Sequence, residues 1–102
     1  MDQPQPQPKI QLIQTNDYRE NYANSVQVRV SLWDFLLLFG TINQPSPDNV
    51  IIRNFQGVYL SPQQAKALYN VLRQNISQYE GAFGEIRLEP AAPFKPEGGV
   101  LQ

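Results

Sequence analysis

The sequence predicts an α+β domain: a three-stranded antiparallel meander followed by one long helix that packs across one face of the sheet. Three observations support this class. Apolar and polar residues alternate from position 26 to position 32, which is typical of a half-buried strand. Two further strand-like segments flank a loop rich in proline and asparagine, and a strong helix-start signal follows at Ser61.

One folded region is expected, because 102 residues are enough for a single domain. We place it at residues 10–89, between a disordered Pro/Gln tail at 1–9 and a disordered Pro/Gly tail at 90–102. The run Gln3–Pro8 alternates glutamine and proline, which favours polyproline II and offers nothing to bury. We interpret it as a solvated tail; the alternative is a ligand for a proline-reading groove.

The first two strands differ in pattern. Residues 26–32 place Val26, Val28 and Val30 on one face and polar residues on the other. Residues 35–39 are apolar at every position, so both faces of this strand are expected to be covered, as in a central strand. Gly40 ends the apolar run, although Thr41 and Ile42 could continue the strand.

The third strand is expected at residues 50–60, after a loop at 43–49. Its phase is open. Val50 and Ile52 share parity with the end of the strand, whereas Ile51 and Phe55 have the opposite parity, so a bulge near Gln56-Gly57 is needed. Short extra edge strands are weakly indicated at residues 10–14 and 84–89.

The helix is the clearest element. Ser61 is predicted as the N-cap, Pro62 as the first helical residue, and Gly81 as the stop. A single apolar stripe follows at spacings of three and four residues. We call it the helix stripe, and its members are Ala65, Leu68, Leu72, Ile76 and Tyr79.

Composition excludes several chemistries. The chain has no cysteine and no histidine, which removes disulfides, zinc–thiolate sites and the commonest general base near neutral pH. The net charge is −1 and the basic residues never cluster, so nucleic-acid binding is not favoured. No signal sequence and no membrane-spanning run are present, and we expect a cytoplasmic protein without membrane contact, cofactor or metal.

A catalytic site is not expected. Ser61 is a helix cap with no base nearby in the sequence to activate it, and Lys66 fits a surface lysine beside the helix stripe. Asp34 lies between two aromatic residues, but we interpret it as a hydrogen-bond acceptor or ion-pair partner in a turn. Glu80 and Glu85 flank a glycine-containing turn and are too few to hold a metal.

The order of short motifs resembles a bacterial family of short proteins classed as a domain of unknown function, family three-four-six-seven. The resemblance covers residues 22–86 and supports the β-β-β-α order, but it implies no activity. Relatives commonly carry polar or charged residues at the positions of Leu36 and Leu38, whereas this chain has leucine at both. A face of the sheet that meets water in relatives is therefore not implied here. The residues that carry it are Tyr22-Ala23-Asn24, Asp34-Phe35, Leu37, Phe39-Gly40, Leu60-Ser61-Pro62, Ala65-Lys66, Leu68, Leu72, Tyr79-Glu80, Phe83-Gly84 and Ile86.

A second surface is expected on the sheet, because one helix covers only one face. Leu36 and Leu38 point away from Phe35, Leu37 and Phe39. We therefore predict an interface for a second copy, and for other protein partners, at Leu36, Leu38, Ile52 and Tyr59. The alternative is that residues 10–13 or 83–88 fold over this face.

The predicted function is a non-catalytic, homodimeric or higher oligomeric binding or adaptor protein that uses its sheet surface. The alternative is a small nucleic-acid-binding accessory protein. An enzyme ranks last.

Overall fold

The fold is a meander followed by a helix, as the sequence predicts. The computed structural model describes residues 6–88 and 100–101. Strands β1 (Ser25–Val30), β2 (Phe35–Ser46) and β3 (Asn49–Leu60) precede helix α1 (Pro62–Phe83), and a two-residue strand β4 (Val100–Leu101) closes the order. The predicted α+β class and β-β-β-α order are confirmed.

The sheet is antiparallel throughout, with the strand order β3-β2-β1-β4. Directly opposed residues point to the same face, so the register assigns every side chain to a face. We call one side the phenylalanine face; its apolar members are Val26, Val28, Val30, Phe35, Leu37, Phe39, Ile51, Val58 and Leu60. The other side is the leucine face; its apolar members are Leu36, Leu38, Ile42, Ile52 and Tyr59.

Strand β2 is longer than predicted. The sequence placed a loop at residues 43–49, but the ladder continues to Ser46, resumes at Asn49, and leaves a turn of only Pro47 and Asp48. Gly40 does not end the strand. It is buried, and a Cβ built on it would lie 2.3 Å from the carbonyl oxygen of Arg53, so glycine permits the two backbones to approach.

The bulge lies one residue earlier than expected. Phe39 is opposite Gln56 and Gly40 is opposite Asn54, so Phe55 is the extra residue on β3. This settles the phase that the sequence left open. Ile52 shares the leucine face with Leu36 and Leu38.

A side chain extends the β1–β2 pairing by one position. The Asn24 backbone N–H donates to the Gly40 carbonyl oxygen at 3.1 Å, and the Ile42 N–H donates to Asn24 Oδ1 at 2.8 Å. The side-chain oxygen thus occupies the place of a ladder carbonyl. β1 itself runs from Ser25 to Val30, slightly shorter at its end than predicted.

Helix α1 begins as expected. Ser61 Oγ accepts a hydrogen bond from the Gln64 N–H at 3.1 Å, and Pro62 is the first helical residue. The end differs from the prediction, since the helix passes through Gly81 and stops at Phe83. Gly84 has φ of 103° and its N–H donates to the Glu80 carbonyl oxygen, so the left-handed region that ends the helix is at Gly84.

The helix does not cover its own sheet, which corrects the predicted packing. α1 approaches β3, the strand that leads into it, and has no comparable contact with β1 or β2. None of its residues is buried, and Leu72 in the helix stripe is 50% exposed. In the described part of the chain no hydrophobic side chain is buried. The side chain that is fully buried there belongs to Ser25.

The outer segments differ from the sequence expectation in two ways. Residues 10–14 and 84–88 form no strand. Val100 and Leu101 pair with Gln27 and Val26, inside the stretch assigned to the C-terminal tail. Residues 6–9 are exposed and irregular, while 1–5, 89–99 and 102 lie outside the described residues.

Candidate functional site on the leucine face

The leucine face brings together the four residues that the sequence singled out. Leu36 lies directly opposite Tyr59 on β3, and Ile52 lies opposite Ile42 on β2. Leu38 is one pleat along from Leu36 on the same side. Leu36, Leu38 and Ile52 are half-buried, while Tyr59 is 68% exposed.

Gly57 forms a low point at the centre of this face. It lies opposite Leu38, and a Cβ built on it would be 3.5 Å from both Leu36 Cδ1 and Leu38 Cδ2. The two leucines therefore lean towards the glycine. The result is a broad, flat apolar surface, of the kind that suits another flat protein surface better than a small ligand.

A polar border lies along the β1 side of the leucine face. Gln27 is opposite Leu38, and its Oε1 accepts a hydrogen bond from Asn54 Nδ2 at 2.9 Å across the face. Arg29 is opposite Leu36 and is exposed. An apolar centre with a polar, solvent-accessible rim is the usual anatomy of a protein interface.

Neither segment that could have covered this face does so. Ile10, Leu12 and Ile13 are each at least 80% exposed, and the stretch they occupy is irregular. Leu88, after the helix, is also largely exposed. Neither of these two segments of the described chain therefore forms a layer over the leucine face.

The residues that could suggest catalysis have structural hydrogen bonds. Ser31 Oγ accepts from the Trp33 and Asp34 amides at 3.1 Å and donates to Asp34, which closes the β1–β2 turn. Asp34 therefore takes its hydrogen bond from a hydroxyl and not from turn amides. Glu80 Oε2 accepts from the Ile86 N–H at 2.9 Å and so secures the chain after the helix.

A shallow cleft lies beside the phenylalanine face, where residues 17–23 pass over the sheet near Phe39. Its volume is about 280 Å³, and its walls carry one acid and one base, Asp17 and Arg19. Next to it, the hydrogen bond from the Tyr18 hydroxyl to Glu20 raises the pKa of Tyr18. No cluster of three potential metal ligands occurs among the described residues.

Residues 1–88 match the family described as Protein of unknown function (DUF3467). The chain belongs to this family. The family resemblance carried by the sequence motifs is thereby confirmed. No curated protein and no solved structure matches the sequence.

A separate finding concerns membranes. In the stretch that the structure describes, no helix is both long and apolar enough to cross a bilayer.

Sequence reasoning missed one feature of the apolar surface. Val30, Leu32 and Trp33 are exposed at the end of the sheet from which α1 departs, and Trp33 is 80% exposed. The signal was present, because the alternating valines of β1 run directly into Leu32 and Trp33. The sequence alone could not show that α1 leaves at this same end.

Proposed function

We propose that the protein is a non-catalytic, self-associating binding protein whose leucine face docks another protein surface, in the first place that of a second copy. The observation that carries this proposal is the absence of any buried hydrophobic side chain in the described part of the chain. A folded domain is stabilised chiefly by removing apolar surface from water. A second protein surface would supply the missing burial.

The residues on the leucine face support a protein partner over a small ligand. Leu36, Leu38 and Tyr59 lie around Gly57, Ile52 continues the same face along β3, and tyrosine is a residue that interfaces favour. Complete burial of an exposed leucine contributes roughly 1.5–3 kcal/mol. Leu36 and Leu38 are already half-buried, so each would contribute about half of that on association.

A two-fold arrangement fits this face. Identical chains most often associate by placing the same patch of both copies together. An apolar patch without its own acidic residues can meet its copy without charge repulsion at the centre. Arg29, at the border, stays accessible to water in such a contact because it lies on the rim.

The test is molar mass by light scattering at micromolar concentration, for the wild type and for Leu36→Lys with Leu38→Glu. We expect the wild type to exceed one chain and the variant to lose mass, because two charges would have to be buried on association. The matched control is Gln63→Lys with Gln74→Glu, which adds the same charges to exposed positions of α1. The control should keep the wild-type mass.

A monomeric wild type, or a variant with unchanged mass, would overturn the proposal. The dependence of binding affinity on salt concentration distinguishes this proposal from the nucleic-acid alternative. Affinity for nucleic acid falls steeply with salt because counterions are released, whereas an interface of leucines should respond little. A steep salt dependence of binding to a single-stranded oligonucleotide would favour the alternative.

A further inference from the structure

We infer that, in the assembled protein, α1 of each chain lies across the phenylalanine face of a second copy. The inference rests on the proposed self-association and goes beyond it, because it names a second contact and the element that each copy contributes. Four features of the described residues support it: the strand–helix connection, the two uncovered apolar surfaces, their lengths, and the hydrophobic end of the sheet.

The connection between β3 and α1 keeps the helix away from its own sheet. β3 ends at Leu60 and α1 begins at Pro62, so Ser61 is the whole connection. Its backbone is extended, with φ of −62° and ψ of 157°, and the following proline restricts it to that region. Connections that fold a helix back over a strand usually have two to six residues.

Two apolar surfaces are left largely uncovered by the described residues, since residues 17–23 pass over the phenylalanine face only near Phe39. The phenylalanine face carries nine apolar residues across three strands, and β1 contributes three valines to it. Among the described residues, the helix stripe meets its own chain only near its start, where Ala65 and Leu68 are half-buried and α1 approaches β3, whereas Leu72, Ile76 and Tyr79 are each about half exposed. Placing one surface on the other would cover both.

The lengths of these surfaces agree. The 22 residues of α1 give a helix of about 33 Å. The 12 residues of β2 give a strand of about 40 Å. One helix can therefore span the sheet of a neighbouring copy without leaving a large part of either surface uncovered.

The end of the sheet where α1 departs supports a second copy as the occupant. Val30, Phe35 and Leu60 form one cross-strand row at this end. Leu32 and Trp33 project beyond that row and are each at least 80% exposed. If two chains exchange helices around a two-fold axis, these ends of the two sheets meet, and the exposed residues are covered.

The area is sufficient for a stable interface. A fully exposed aromatic side chain buries on the order of 150–250 Å². Tyr69, Leu72, Ile76, Tyr79 and Phe83 are 44–76% exposed, so one helix offers several hundred Å² and the sheet opposite a similar amount. Two exchanged helices therefore reach the roughly 1,200–2,000 Å² typical of specific protein interfaces.

The exchange uses a different surface from the leucine face, so the two contacts can coexist. Two two-fold contacts on separate surfaces, with perpendicular axes that intersect, generate a closed assembly of four chains. Loss of the leucine-face contact should then leave exchanged pairs, and loss of the exchange should leave pairs held by the leucine face.

The direct test is thiol cross-linking between two chains that each carry one new cysteine. The natural chain has none, so the background is clean. One chain carries Gln56→Cys, opposite Phe39 on the phenylalanine face, and the other carries Arg73→Cys, beside the helix stripe. The two chains bear tags of different length, are co-expressed, and are treated with a short bismaleimide.

We expect a mixed cross-linked pair on a denaturing gel. The matched control replaces Gln56→Cys with Gln27→Cys, which lies opposite Leu38 on the leucine face and should give no link to Arg73→Cys. An assembled protein in which the Gln56→Cys chain does not link, or in which the Gln27→Cys chain links instead, overturns the exchange while leaving the proposed function intact. A monomer by light scattering overturns both.

A second measurement lengthens the connection. Six glycine and serine residues inserted between Leu60 and Ser61 keep the cap and allow α1 to fold back onto its own sheet. We expect the molar mass to fall by half with helical circular dichroism retained. The same insert between Pro47 and Asp48, in the β2–β3 turn, should leave the mass unchanged. Unchanged mass with the first insert overturns the exchange.

Discussion

The sheet and the helix of this protein depend on different kinds of support. The sheet is held within one chain, because β1, β2 and β3 pair with their neighbours in sequence through continuous antiparallel ladders. The helix has its cap and its terminal glycine, but among the described residues it meets its own sheet only at β3, and most of its stripe is left without a layer. Helices of this kind gain most of their stability from packing of the apolar face and little from propensity. The comparison teaches that secondary structure can be complete in a chain whose hydrophobic layers are not.

The largest expected effect is on the sheet. Gly40→Ala should destabilise the protein by about 3 kcal/mol, since the new Cβ would meet the backbone of Arg53, which cannot move without breaking the ladder. Gly57→Ala is the matched control. Its Cβ would make only ordinary contacts with Leu36 and Leu38, so we expect a loss near zero or a gain of about 0.5 kcal/mol.

Both variants would be measured by urea denaturation. Similar midpoints for the two alanine variants would show that the close approach of β2 and β3 at Gly40 does not limit stability.

The next largest effect is on the helix, whose stability should depend on protein concentration, unlike that of the sheet. Leu72→Ala should cost about 2 kcal/mol if the stripe is covered in the assembly, and the loss should depend on protein concentration because partner contacts are involved. Gln74→Ala, on the exposed opposite side of α1, should cost almost nothing. Thermal unfolding at two concentrations a hundredfold apart measures this. If the loss of stability caused by Leu72→Ala is the same at both protein concentrations, the contacts of the helix stripe lie within one chain.

The smallest effect concerns the local start of the helix. Ser61→Ala should cost about 1 kcal/mol, because the Gln64 amide would lose the acceptor it uses at 3.1 Å. Ser77→Ala, in an exposed position within α1, should be neutral or slightly stabilising, because alanine is the better helix former. Urea denaturation of both variants decides it. Equal effects would mean that the cap contributes nothing to the helix.

Local patterns were enough to predict most of the elements. Alternation identified β1, and Ser61 with Pro62 fixed the first residue of α1, because caps act through neighbouring atoms only. The failures were at glycines. Gly81 looked like a helix end, yet a later glycine with positive φ ends α1. Gly40 left the end of β2 open in the sequence, and only the ladder register shows that the strand continues through it.

The candidate surface was predictable in part. The opposite parity of Leu36 and Leu38 relative to Phe35 follows from strand geometry, so the leucine face could be read directly. Ile52 joined it only after the register placed the bulge at Phe55, which depends on pairing between strands. The position of α1 could not be read from its stripe, since a stripe shows that a partner surface is needed but not which chain supplies it.

The single-residue connection at Ser61 also has a kinetic consequence. Closing the meander requires only short turns, so the sheet can form rapidly in an isolated chain. In the proposed exchange, burial of the helix stripe must wait until two chains meet, and encounter between chains is a second-order step whose rate falls as the protein is diluted. Refolding followed by Trp33 fluorescence should therefore show a fast phase independent of concentration and a late phase that slows in proportion to dilution.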